Sequence, residues 1–164
     1  MCIWEAKQLL SANWRKEYTT EIGNEIVLRT LVADMDWELS DSEPVSATRK
    51  LGRTFDVVIK QMNKQDPGIL DEDFLAQRDH LYKLIARFFC GRTLFVTSRG
   101  YLGVGDDGVK EGDKVCIFLG APVPFILRDY GTMLHQLVGE CYVHDIMYGG
   151  ALYGNPATVT FAIH

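Results

Sequence analysis

The stretch that decides the fold is Gly91-Arg92-Thr93-Leu94-Phe95-Val96-Thr97, followed by Gly100-Tyr101-Leu102-Gly103-Val104-Gly105. Thr93 to Thr97 is β-branched and aromatic, the composition of a strand. The second piece is short and bounded by glycines, which read as turn or bulge residues. At Arg92 the period of the apolar residues changes from helical to strand-like.

Downstream the pattern continues in short strands with close turn signals. Gly105-Asp106-Asp107-Gly108 and Glu111-Gly112-Asp113 are turn material, and Lys114 to Leu119 is an apolar strand. Ala121-Pro122-Val123-Pro124 interrupts it, and Phe125 to Arg128 resumes it. Asp129-Tyr130-Gly131 turns the chain into a long strand from Met133 to His144, and Thr158 to Ile163 is the last one. This spacing predicts an antiparallel meander or a small barrel.

Upstream the chain reads as helices. Ile3, Leu10, Trp14 and Tyr18 have loose helical spacing, and Val27, Leu28, Leu31 and Val32 form a short apolar face. Asp41-Ser42-Glu43-Pro44 can start a helix, and Leu51, Phe55, Val58, Ile59 and Met62 then form a clear amphipathic stripe. Asp66-Pro67-Gly68 is a turn. The clearest helix follows, with Asp71, Glu72 and Asp73 at its positive end and Lys83 and Arg87 at its negative end. Its apolar face is Phe74, Leu81, Leu84, Ile85 and Phe88, and Gly91 stops it. The expected architecture is α+β. It is a single domain over 1–164, with N-terminal helices in 1–90 packed around a small antiparallel β-barrel or curled sheet in 91–164.

The 164 residues carry a formal charge of −5, with 47% hydrophobic and 24% charged residues. This is the balance of an ordinary globular protein. A mildly acidic chain has no electrostatic reason to seek nucleic acid or an anionic membrane. No secretory signal or spanning segment is legible, so a cytoplasmic protein is expected. Cys2, Cys90, Cys116 and Cys141 are widely spaced and form no CxxC. They read as reduced, mostly buried thiols, with no metal site and no cofactor expected.

The β half resembles the C-terminal region of fungal heterokaryon-incompatibility proteins. The resemblance rests on the order and spacing of Gly91 to Thr97, Gly100 to Gly105, Glu111-Gly112-Asp113-Lys114-Val115, Pro124-Phe125-Ile126-Leu127-Arg128 and Leu137-Val138-Gly139-Glu140-Cys141-Tyr142-Val143-His144-Asp145-Ile146-Met147. In the helical half, Leu28-Arg29-Thr30-Leu31-Val32-Ala33-Asp34 looks like that family's Trp-Arg-Thr-Leu-Ile-Ala-Asp element. Asp145 stands where the family usually has glycine, and Gly150 replaces an acidic residue. These residues do not include the family's upstream signalling domain, so a stand-alone copy put to another use is expected.

The candidate chemistry lies on the long strand. Regular alternation would place Leu137, Gly139, Cys141 and Val143 on one face, and Gln136, Val138, Glu140, Tyr142 and His144 on the other. His144 can serve as a base near neutral pH, Glu140 can orient or protonate, and Tyr142 can donate to an oxyanion. Asp145 adds a carboxylate beside the histidine. Arg128 is the candidate anchor for a substrate carboxylate or enolate, with Tyr101, Phe125 and Met147 as further lining. The same alternation also describes a solvated strand face.

Three functions follow. The first is binding of a small apolar metabolite in a pocket between barrel and helices. The second is a cofactor-free acid/base cyclase or isomerase of fungal secondary metabolism. The third is a regulatory protein-interaction module in incompatibility, with a protein partner or a homo-oligomer.

Overall fold

The computed structural model describes residues 20–36, 45–46, 49–62, 71–131, 134–147, 149–154, 156–160 and 162–163. The chain divides into two compact units, one within Glu17–Cys90 and one containing Gly91–His164. The boundary falls where the apolar period changes. The expected helix over residues 3–18 and the turn at Asp66-Pro67-Gly68 lie outside the described residues.

The first unit holds helices α1 (Thr20–Leu31), α2 (Arg49–Met62) and α3 (Glu72–Phe89), with a two-residue ladder between β1 (Met35–Asp36) and β2 (Val45–Ser46). The helices bury much of the stripes that their spacing announces: Val27, Leu28 and Leu31 on α1, with Val32 just after it, Leu51, Phe55, Val58 and Ile59 on α2, and Leu81 and Leu84 on α3, whereas Met62 is exposed and Phe74, Ile85 and Phe88 are only half-buried. Polar groups fix the contacts. Asn24 Nδ2 donates to Asp56 Oδ1 at 2.9 Å, and Thr54 Oγ1 to Gln77 Oε1 at 3.3 Å. Asp71 caps α3 by accepting from the Phe74 amide at 2.8 Å.

The Leu28–Asp34 element ends α1. Ala33 and Asp34 both take positive φ, and Arg29 reaches forward to pair with Asp34 while also holding Glu25. Thr30 Oγ1 donates back to the Ile26 carbonyl. The motif therefore encodes a helix terminus, with its charge satisfied internally. No helix among the described residues is long and apolar enough to cross a membrane.

The second unit is a curled six-stranded sheet. Its main path runs β3 (Arg92–Val96), β4 (Leu102–Asp106), β7 (Leu134–Val143), β6 (Phe125–Asp129), β5 (Lys114–Cys116). All neighbours on that path are antiparallel, while β8 (Ala162–Ile163) pairs β7 in parallel. Among the described residues no ladder joins β3 to β5, so the sheet stays open there. Two expected strands are shorter than their sequence suggested. The strand from Lys114 stops at Cys116, and the last one reduces to Ala162–Ile163.

The curl has a cause in two glycines that face the same side. A Cβ on Gly103 would collide with the Phe95 ring and lie 2.8 Å from the Tyr142 carbonyl oxygen. A Cβ on Gly105 would lie 2.7 Å from Ile126 Cδ1. Phe95 and Ile126 thus fill the volume that two side chains of β4 leave empty. Ile126, Cys141 and Val143 form the buried centre of this side, with Phe95, Tyr101, Val109, Val115, Val138 and Ile146 packed against it. Both glycines lie within β4, not in the turns to which the sequence pattern assigns them.

A second departure is a bulge in β7. Ile126 pairs with Gly139 but Leu127 pairs with Leu137, so Val138 is an extra residue. The bulge breaks the expected alternation. Leu137 is 43% exposed although Cys141 and Val143 are buried, and Val138 packs with Cys141 instead of sharing a face with Tyr142.

Adding one methyl group at two glycines should therefore have opposite effects. Gly103→Ala should cost about 1–3 kcal/mol from overpacking, and combining it with Phe95→Leu should recover part of the loss. Gly52→Ala, in the interior of α2 with open space around it, should stabilise by about 0.5–1 kcal/mol. Urea titration of the variants checks both signs.

Candidate functional site

The sheet's curl brings its two edges to one groove. The groove encloses about 1220 Å³. One wall is continuous from Thr93 to Arg99, along β3 and the turn after it, and the other runs from Val109 to Val115, into β5. Its apolar floor includes Phe95, Tyr101, Ile126 and Ile146, while Arg99, Lys110, Glu111 and Asp145 add charge around it. Gly91 and Gly100, at either end of β3, hold φ of 68° and 82°, a turn conformation that glycine takes without steric cost.

Arg128 supports the second wall. Its Nε donates to Asp113 Oδ1 at 2.9 Å and one terminal nitrogen to Asp113 Oδ2 at 2.8 Å. That same nitrogen also donates to the Gly108 carbonyl at 2.7 Å. The guanidinium thus holds a carboxylate, as its chemistry suggests, and that carboxylate belongs to the protein's own loop. The Asp113 side chain is only 5% exposed. Its hydrogen bonds from Arg128 hold the carboxyl below the usual aspartate value, helped by the Lys110 amide and opposed by burial. Asp113 escaped the sequence reading because its partner is 15 residues away, across a turn.

The proposed acid/base group is only partly assembled. Tyr142 and His144 do meet, with the phenol oxygen 3.0 Å from His144 Nδ1. Tyr142 is 4% exposed, and His144 sits one residue past β7 with its amide donating to the Leu102 carbonyl. His144 Nε2 lies 3.5 Å from Asp145 Oδ1. Glu140 stands apart from this chain. Its side chain is 62% exposed and pairs with Arg92 at 3.3 Å, a surface contact of small energetic weight.

Asp145 is the member of this chain that lines the groove. Its φ is 67°, in the left-handed region. Glycine suits that position, and aspartate is among the few other residues that tolerate it. Aspartate in place of the glycine that the resemblance leads one to expect is thus compatible with the same turn. It also places a carboxylate, 46% exposed, at the groove.

The remaining candidates are dispersed. Tyr101 lies on the groove floor, with its amide held by Thr97 Oγ1 at 3.0 Å. Phe125 stacks on Phe118 with centroids 5.0 Å apart, and Met147 is half-buried in the turn after β7. Cys141 is buried, and burial first, then the nearby Cys116 and Glu140, push its thiol up to about 12. It is therefore a protonated packing residue at neutral pH. Among the described residues no group of three or more His, Cys, Asp or Glu is placed to hold a metal ion.

The Het-6 beta-barrel domain family matches residues 27–154, a range that takes in parts of both units. Heterokaryon incompatibility protein 6, OR allele, of Neurospora crassa is 35% identical over 71 residues, covering 42% of this chain. The chain spans about 10% of the length of that relative. No solved structure matches.

The Arg128–Asp113 clip has a pH signature. Because the folded carboxyl titrates below its unfolded value of about 3.9, the clip contributes stability above that value and loses it as pH falls through the lower folded one. Arg128→Met should lower stability at neutral pH. The gap from the unaltered chain should hold down to about pH 5 and narrow below about pH 4. Urea midpoints between those conditions and neutrality test this, and a gap independent of pH would contradict it.

Proposed function

We propose that this chain, which belongs to the Het-6 beta-barrel domain family, is a recognition domain that binds its partner in the open groove of its β unit. The observation that carries this reading is the groove itself, walled by strands from opposite edges of one sheet. Its volume of about 1220 Å³ exceeds the roughly 300–1,000 Å³ of sites built around drug-sized molecules. An apolar floor beside charged residues suits an elongated, amphipathic ligand. This favours the regulatory interaction module among the functions open to the sequence. A role in incompatibility fits the similarity to the Neurospora protein.

A small apolar metabolite is a second reading, favoured by the floor of Phe95, Tyr101, Ile126 and Ile146. It would use the same groove. The acid/base cyclase or isomerase has less support. It needs a cavity reached by His144 or Glu140, and neither is among the residues that wall this groove.

A mixed library of small fragments and short peptides, screened by amide chemical shifts on the labelled chain, tests the reading. Shifts from the best binders should cluster at Thr93–Thr97 and Val109–Ile117. Ile117, just past β5, also lines the groove, and Ile117→Asp should abolish those shifts while leaving the melting temperature within a few degrees. Shifts confined to residues 20–62, or binding indifferent to Ile117→Asp, would contradict the proposal.

A further inference from the structure

Among the described residues the outer edge of β3 is unpaired, and Thr93–Val96 of that strand line the groove. The ladder's parity shows which main-chain groups that edge presents. Asp107 N donates to the Gly91 carbonyl and Thr97 N to the Tyr101 carbonyl, so odd-numbered residues of β3 point their amides and carbonyls at β4. On β4 the even-numbered residues serve β7, as the His144 amide on the Leu102 carbonyl shows. The N–H and C=O groups of Arg92, Leu94 and Val96 therefore point away from β4, to the outer edge. Among the described residues no strand pairs with that edge.

The groove lining supports the same geometry. Every residue from Thr93 to Arg99 lines it, whichever side of the sheet its side chain takes. A strand that presented only one face would contribute alternate residues. Continuous lining is what a strand presenting its edge produces.

Among the described residues this edge also lacks a pairing strand and the usual guards within its own sequence. Natural sheets protect an open edge with proline, lysine, a bulge or a covering element. The β3 sequence Arg92-Thr93-Leu94-Phe95-Val96 contains neither proline nor lysine, and its register with β4 is unbroken over all five pairs.

Resting on the recognition reading above, we infer that the groove accepts an extended peptide segment of a protein partner, which adds to β3 as a further strand. Main-chain hydrogen bonds to Arg92, Leu94 and Val96 hold the segment. Its apolar side chains, at alternate positions, face the floor of Phe95, Tyr101 and Ile126. The opposite wall, clipped by Arg128, closes over its outer side. A small molecule has no use for three evenly spaced main-chain pairs along a strand. An extended peptide matches them.

The test is selection of a displayed random library of peptides about a dozen residues long on the whole chain. Selected peptides should carry apolar residues at alternate positions. N-methylating their backbone should weaken binding about tenfold or more at positions of one parity and little at the other. Val96→Pro removes a donor on the outer edge alone, at a position where edge strands accept proline. It should weaken binding by a similar factor, while Val96→Thr should not. Should Val96→Pro fail to fold, the N-methyl series decides the question. Capture of no peptide, or affinity indifferent to N-methylation at both parities, overturns the inference. Binding that is lost in Ile117→Asp but ignores N-methylation keeps the groove and removes the strand pairing. Self-association of the chain that Val96→Pro abolishes would make a second copy the occupant, and would also overturn the partner assignment.

Discussion

The second unit depends on the contact of Phe95 and Ile126 with two residues that have no side chain. Gly103 and Gly105 put bare backbone on the inner side of β4, and the aromatic ring and the isoleucine occupy that space. Close packing of this kind bends the sheet about β4 and brings β3 and β5 to one groove. With ordinary side chains at both positions the two inner rows would compete for one volume, at an overpacking cost of a few kcal/mol. The groove is thus a consequence of where side chains are missing.

The curl leaves a seam that side-chain chemistry does not close. On one side β3 offers main-chain groups with no strand partner among the described residues. On the other, the loop from Val109 to Asp113 is held by Arg128 through a forked ion pair and a carbonyl hydrogen bond. One wall is a strand edge able to pair, and the other is a loop fixed by charge. That asymmetry favours recognition of a strand over enclosure of a compact ligand. Arg128 and Asp113 are the contacts that hold that second wall in place.

Much of this was legible in the residues. The change of period at Arg92 marks the boundary between the units, and the centres of the helical stripes at Phe55 and Leu81 are buried as their spacing requires, while the stripe end at Met62 is exposed. The i,i+2 relation of Tyr142 and His144 gave a real contact. The bulge at Val138 was not legible, because nothing local distinguishes an extra strand residue from a regular one. Glu140 left the expected group because Arg92, from a strand two places away in the sheet, pairs with it. Gly103 and Gly105 looked like turn or bulge glycines because their reason lies on other strands, the bulk of Phe95 on adjacent β3 and of Ile126 on β6, two places away. The groove walls were invisible for the same reason. They join residues from opposite edges of the sheet, and only the register brings those together.

The central claim is that the outer edge of β3 is free in the isolated chain. Amide hydrogen exchange measured residue by residue tests it most directly. The amides of Thr93, Phe95 and Thr97, which face β4, should be protected, and those of Arg92, Leu94 and Val96 should exchange much faster. Uniform protection along all six residues would mean that the edge is already paired and the barrel closed, and would contradict the account.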